Sequence, residues 1–106
     1  MIERGEVWDV DLGLEVRPAV VLTRTTAIPV LGSLVCVAVT STVRGHVAEV
    51  ELARSHGLHE PSVANCDWLL TIPKDRFLRR RGELDSITAR RLDAALVVAL
   101  GLDRQS

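Results

Sequence analysis

The sequence predicts a mainly β domain, in which five or six short antiparallel strands form a small barrel and one helix follows at the C-terminal end. Short runs with strand-type composition or two-residue alternation recur from residue 6 to residue 84. The links between them are short, which favours a small antiparallel barrel. Helical spacing of apolar residues comes last, so the helix would cap or flank the barrel. A chain of 106 residues fits a single domain over residues 1–106.

The first two strands are predicted at residues 6–12 and 17–23. Apolar and acidic residues alternate from Trp8 to Leu12, which indicates a strand with one buried and one solvated face. The second strand is apolar along nearly its whole length, which favours burial of both faces. Pro18 is tolerated near its start, because the first position of a strand does not yet need its N–H.

The third and fourth strands are predicted at residues 34–40 and 47–52. Residues 24–32 contain threonines, a proline and a glycine, which is typical of a connecting loop. The third strand is rich in β-branched residues. Residues 41–46 form a polar turn, and because this turn is short we expect the third and fourth strands to form a hairpin.

The next segments alternate between single helical turns and strands. Residues 53–57 are expected to form one turn that Gly57 ends. A long fifth strand is predicted at residues 62–72, and a second single turn at 73–77. The sixth strand, at residues 78–84, contains three consecutive arginines. They suit a charged sheet edge, or they could contact RNA or an acidic partner.

The C-terminal helix is predicted to begin with Ser86 as its N-cap and to end before Gly101. It has an apolar face and a charged face, and by its spacing it is about four turns long. The positions that share the apolar spacing are Thr88, Leu92, Ala95, Leu96, Ala99 and Leu100.

Composition bounds the function classes. The formal net charge of −1 excludes a basic field over the whole molecule, so any contact with nucleic acid must be local. Cys36 and Cys66 have no metal-ligand spacing, and no metal or cofactor is predicted. Both cysteines and Trp68 have the parity of core positions and are predicted to pack there. The chain has no signal-type N-terminus and no membrane-length apolar run, so we expect a cytoplasmic protein that does not bind membranes.

The junction before the second strand contains a candidate anion-binding group. Arg17 lies where a loop meets a stiff strand, so its guanidinium is anchored but can face a ligand. A permanently charged fork with five N–H donors is suited to grip a phosphate. The alternative is an arginine that merely ends a strand and is solvated.

Four segments in order along the chain together match one known family. They read RGEVWDVDLG at residues 4–13, RPAVVL at 17–22, VAVTS at 37–41, and a closing helix from Leu84 to Leu102. With further matches inside the fifth strand, they resemble the MazF/PemK/Kid endoribonuclease toxins of bacterial type II toxin–antitoxin systems. The resemblance implies an SH3-like, CcdB/MazF-like barrel that works as a homodimer.

The resemblance also implies a reaction. Family members cleave single-stranded RNA without a metal, and their catalytic arginine and threonine match Arg17 and Thr40. In such a site the RNA supplies its own nucleophile, the 2′-OH, and the guanidinium stabilises the charge that develops on the phosphoryl oxygens. The expected products have 2′,3′-cyclic phosphate and 5′-OH ends. The substrate would be mRNA or a tRNA loop.

Five further residues are candidates for RNA contact. Ser41, Arg44 and His46 follow Thr40 in the turn, and Asn65 and Asp67 share one face of the fifth strand. The alternatives are a solvated turn and an outward polar strand face.

Two other functions compete with the endoribonuclease. A CcdB-like toxin would bind DNA gyrase through the same barrel, and a non-catalytic barrel would serve as a binding module. In either toxin, the expected partner is a cognate MazE-like antitoxin whose acidic C-terminal tail lies across the groove. The loop between the first two strands, residues 13–16, is shorter than the corresponding loop of many family members. The sequence therefore leaves open how the antitoxin binds and which RNA sequence is cut.

Overall fold

The computed structural model describes residues 1–104, so the last two residues of the predicted domain lie outside the described part. It shows a curled, six-stranded antiparallel sheet, a half-barrel, followed by one helix. This confirms the predicted fold class. The elements are β1 (Glu6–Asp11), β2 (Val16–Val21), β3 (Ser33–Thr40), β4 (Glu49–Leu52), β5 (Ser62–Pro73), β6 (Phe77–Glu83) and α1 (Ser86–Ala99).

The strands lie in the order β4-β5-β3-β2-β1-β6, and each neighbouring pair is antiparallel. The arginine-rich β6 is an edge strand, as predicted, and it pairs with β1. Within residues 1–104, no helix is both long and apolar enough to cross a membrane.

The predicted hairpin between the third and fourth strands is wrong. β4 pairs with β5, and β5 lies between β3 and β4. The first residues of β5 bond to both neighbours, since Asn65 is the partner of Ala38 on one side and of Glu49 on the other. β2 already occupies the second edge of β3, so β4 must pair elsewhere. β4 also begins at Glu49 rather than at residue 47.

The connections and the helix cap differ in detail from the prediction. The predicted loop at 24–32 contains a 3₁₀ segment, Thr25–Val30, which buries Ala27 and Ile28. The N-cap of α1 is Asp85 rather than Ser86, because the Asp85 carboxylate accepts the Thr88 N–H.

Two apolar cores lie on the two faces of the curled sheet. One contains Val20 and Cys66 and packs against α1. The other contains Val21 and Cys36. Neighbouring residues of β2 therefore face opposite cores, which confirms that both faces of this strand are covered. Burial raises the pKa of the Cys36 thiol to about 12, and burial beside Asp67 raises that of Cys66 to about 11.

Candidate functional site

Arg17 and Thr40 line one pocket, where β2 begins and β3 ends. The two strands pair from Ala19↔Ala38 to Val21↔Cys36, and extending this antiparallel register by two residues brings Arg17 level with Thr40. Arg17 Nη1 also donates a hydrogen bond of 3.1 Å to the carbonyl oxygen of Val39. The side chains that the sequence singled out separately thus belong to one site.

A pocket of about 200 Å³ opens at these strand ends. Besides Arg17 and Thr40, it contains Ser41, one of the predicted RNA-contact residues. Two carboxylates, Glu15 and Glu60, lie in its wall. The other residues that line it are Val16, Pro18, Val39 and Ser62.

Two side chains hold the Arg17 guanidinium. Glu15 accepts two hydrogen bonds from it, 2.9 Å from Nη2 to Oε1 and 3.4 Å from Nε to Oε2. Arg17 Cζ lies 4.6 Å from the centroid of the Trp68 ring, which is a cation–π contact. The Arg17 side chain is 22% exposed and that of Glu15 is 48% exposed. The guanidinium is therefore fixed, and the carboxylate that neutralises it is accessible to solvent.

The prediction that Trp68 packs in the core is wrong. It is half-buried and contacts Arg17 instead. The reason is a β-bulge, because the partner of Val37 is Leu69 while that of Ala38 is Asn65. Three residues of β5 between these pairs have no counterpart in β3, so the alternation of side chains changes inside the bulge. Strand parity alone gives no sign of this change.

The Thr40 hydroxyl has a defined partner. Its Oγ1 accepts the Thr42 N–H at 3.1 Å. Because the oxygen is the acceptor of this bond, its own O–H can donate into the pocket. Thr40 can therefore donate a hydrogen bond to an anion that Arg17 holds.

The other predicted RNA-contact residues do not line the pocket. Arg44 and His46 lie in an exposed segment, where Glu49 accepts the Arg44 N–H at 3.1 Å. On the bulge, Asn65 Oδ1 accepts the Asp67 N–H at 3.0 Å. Arg44 and His46 follow Thr40 in the chain, and Asn65 and Asp67 belong to the same strand as Trp68.

The arginines of β6 are already paired with acidic residues. Arg80 Nε donates to Glu6 at 2.8 Å, and Arg81 Nη1 donates to Asp9 at 2.9 Å. Burial alone would raise the pKa of Glu6, but hydrogen bonds from the Trp8 indole and from Arg80 outweigh it and lower that pKa below its ordinary value. These contacts support a structural role for Arg80 and Arg81 as partners of β1.

Comparisons with known proteins point in one direction. Residues 3–100 match the family model described as PemK-like, MazF-like toxin of type II toxin–antitoxin system. The chain is 37% identical to "Endoribonuclease MazF3" of Mycobacterium tuberculosis over 87 residues, which cover 82% of this chain and 84% of that protein.

Solved structures agree with the sequence comparisons. "Mycobacterium tuberculosis toxin MazF-mt6" is 32% identical, with a TM-score of 0.86 over 91% of this chain and 96% of its own. A mycobacterial structure described as an endoribonuclease in complex with its cognate antitoxin is 29% identical. Its TM-score is 0.88 over 96% of this chain and 97% of its own.

Proposed function

Because the chain belongs to the family of PemK-like, MazF-like toxins of type II toxin–antitoxin systems, we propose that it is an endoribonuclease that cleaves single-stranded RNA at short sequences. The observation that carries this proposal is the shared pocket of Arg17 and Thr40. It combines a fixed cation with a hydroxyl donor at one point of the surface, as a phosphoryl-transfer site requires. Curated relatives named as MazF endoribonucleases support the same activity.

The proposed reaction uses the nucleophile that RNA contains. The 2′-OH loses its proton and attacks the neighbouring phosphorus, the bond to the 5′-oxygen breaks, and that oxygen takes up a proton, so no net proton is consumed and the products carry 2′,3′-cyclic phosphate and 5′-OH ends. Arg17 stabilises the negative charge that builds on the phosphoryl oxygens, and the Thr40 hydroxyl donates to one of them. Fixing the phosphate in the pocket also orients the attacking and leaving oxygens.

Glu15 has a specific place in this proposal. Its carboxylate binds Arg17 in the two-pronged manner in which a phosphate would bind. An exposed ion pair of this kind contributes little to stability, about 0–1 kcal/mol. Replacing the Glu15 carboxylate by a phosphate therefore costs little free energy. RNA binding thus replaces one anion at Arg17 by another.

Around the pocket, we assign secondary contacts to the RNA. Ser41 lies in the pocket itself. Arg44 and His46 would meet the strand on one side, and Asn65 and Asp67 on the other, where hydrogen bonds to splayed bases can select the sequence.

We also propose that residues 1–106 form a single toxin domain and that two copies form a homodimer. The homodimer would act in the cytoplasm, where its RNA substrate is found. Its partner is a cognate antitoxin with an acidic C-terminal tail, whose carboxylates would compete for Arg17 as Glu15 does. The structure described as an endoribonuclease with its cognate antitoxin supports this partner. The family match gives no support to the gyrase-binding alternative.

A digestion tests the proposal. The purified protein is incubated with a long defined RNA in excess EDTA, and the cut ends are mapped. We expect cuts at one short sequence with 2′,3′-cyclic phosphate ends. We expect Arg17→Ala to lose activity about a hundredfold or more, as loss of one charge-stabilising donor does in other enzymes. Arg24→Ala, which removes an exposed arginine outside the pocket, is the matched control. No cleavage by well-folded wild-type protein would refute the proposal.

A further inference from the structure

We propose that Trp68 is a positioning residue for Arg17, and that it keeps the guanidinium in place while RNA phosphate replaces Glu15. This inference rests on the proposed function. It assigns a role to a residue that neither strand parity nor the family resemblance singled out. The contact that carries it is the 4.6 Å separation between Arg17 Cζ and the centroid of the Trp68 ring.

The two contacts of the guanidinium use different parts of the group. Its N–H donors lie in its plane, and Nε, Nη1 and Nη2 bond to Glu15 and to the Val39 carbonyl oxygen. The cation–π attraction acts between its charge and the aromatic face. A phosphate that takes the Glu15 position therefore competes for the in-plane donors and leaves the contact with Trp68 intact.

Without Trp68, little would hold Arg17 during this exchange. Once Glu15 leaves, the remaining direct hydrogen bond is the one to the Val39 carbonyl oxygen. A free arginine side chain has several rotatable bonds, and fixing it costs conformational entropy. The indole face limits that freedom before the substrate arrives, which is how a preorganised charge stabilises a transition state.

The bulge in β5 positions Trp68 for its contact with Arg17. The unpaired residues between Asn65 and Leu69 place Trp68 outside the core, where a regular strand would have buried it with Cys66. Both ends of the bulge are bonded into the sheet, and the Cys66 N–H donates to Ala48 at 2.9 Å. The indole is therefore attached to fixed backbone rather than to a mobile loop.

Cleavage kinetics with Trp68→Phe and Trp68→Leu test the inference. The phenylalanine keeps an aromatic face, and the leucine keeps an apolar side chain without one. A cation–π contact of this type contributes about 0.5–2 kcal/mol. We therefore expect Trp68→Leu to lower kcat by about 3- to 30-fold, with KM and the cut sites little changed, and Trp68→Phe to recover most of the rate. Trp8→Phe, in the other partly buried tryptophan, is the control.

An unchanged kcat in Trp68→Leu would overturn the inference. So would a changed KM or new cut sites, because those would identify Trp68 as a surface on which an RNA base stacks. Thermal unfolding of each variant separates these outcomes from misfolding.

A second measurement does not depend on RNA cleavage. The indole ring current should move the Arg17 side-chain proton resonances upfield in the wild type, and this shift should disappear in Trp68→Leu. This shift should persist when inorganic phosphate is added to the wild type, because phosphate competes only for the in-plane donors of Arg17. If the wild type cuts no RNA, the proposed function fails. The ring-current measurement in phosphate then decides alone whether Trp68 positions Arg17, and loss of the shift on addition of phosphate would refute it.

Discussion

Arg17 is the central residue of the proposed site, and a carboxylate already pairs with its charge in the absence of RNA. Glu15 takes two of its N–H groups and the Val39 carbonyl oxygen takes another. The pocket also contains Glu60, so its charged groups sum to one cation and two carboxylates. Such a pocket would repel RNA unless Glu15 moved away. Substrate affinity is therefore expected to be limited by a residue of the protein itself.

Substitution of Glu15 tests this limit. Glu15→Gln preserves the size of the side chain and removes the charge that competes with phosphate. Because an exposed ion pair contributes about 0.2–1 kcal/mol, we expect KM for RNA to fall by about 1.4- to fivefold while kcat is retained. Steady-state kinetics at two salt concentrations measure KM and kcat. Glu60→Gln is the control, because it removes a carboxylate from the same pocket without removing the partner of Arg17. A hundredfold loss of kcat would instead show that Glu15 takes part in proton transfer.

The sequence predicted part of this site. Arg17 was singled out by its place at the start of the second strand and Thr40 by the family resemblance, and the pairing of β2 with β3 brings the two together. Trp68 was placed in the core, because a bulge is invisible to a rule that counts every second residue. Glu15 appeared only as part of a short link, since its role depends on the side-chain conformation.

At the scale of elements, the 3₁₀ turn Arg54–His56 lies unusually close to β6. A Cβ atom added at Gly57 would lie 2.1 Å from the carbonyl oxygen of Arg81, and one added at Gly82 would lie 2.5 Å from that of His56. Only glycine allows the two backbones to approach in this way. The turn therefore packs backbone to backbone against the edge strand, and Arg81 Nε donates a hydrogen bond of 3.1 Å to the Gly57 carbonyl oxygen.

A pair of alanine substitutions separates close approach from backbone strain. Gly57 and Gly45 both have positive φ, +92° and +76°, but only Gly57 has backbone within reach of a new Cβ. We expect Gly57→Ala to lower the free energy of unfolding by about 3 kcal/mol or more, from strain plus overpacking. Gly45→Ala should cost about 1 kcal/mol. Urea titration gives both values, and equal losses would contradict the close approach.

The Glu6–Arg80 contact between β1 and β6 should make the free energy of unfolding depend on pH. The folded-state pKa of Glu6 is lowered, so its contribution is present above the ordinary glutamate pKa and is lost as pH falls through the folded value. We expect Glu6→Gln to be about 1–2 kcal/mol less stable at pH 7, because a charge-assisted hydrogen bond is weakened. The difference should shrink towards pH 3.

Chemical denaturation at several pH values measures this dependence. Glu83→Gln is the control, since Glu83 pairs with the same Arg80 but its side chain is 72% exposed. It should change stability by less than about 0.5 kcal/mol. A pH-independent difference between Glu6→Gln and the wild type would contradict the assigned role.

For the whole molecule, strand pairing was the hardest feature to predict. The order of elements along the chain followed from local patterns, and the curled sheet with one helix was confirmed. The partner of β4 was not found, because proximity in sequence favoured β3, whereas β2 and β5 already occupy both edges of β3. Pairing is decided by competition among all strands, and a local pattern does not contain that information.

The two cysteines report on the integrity of the two cores. Cys36 and Cys66 lie in different cores, and burial raises their thiol pKa values to about 12 and about 11. Because the thiolate is the reactive form, we expect almost no reaction with an aromatic disulfide reagent at pH 8 in native buffer. Both thiols should react rapidly in urea. Fast labelling of the native protein would contradict the packing of either core.

In the described sheet, β1 lies between β2, the next strand along the chain, and β6, the most distant one. A nascent chain on the ribosome can form the β1–β2 pair early, but it cannot cover the other edge of β1 until residues 77–83 have emerged. Pairing over such a long separation is also intrinsically slow. A toxin that cuts RNA would therefore acquire the complete sheet only after the codons for residues 77–83 of its own message had been translated.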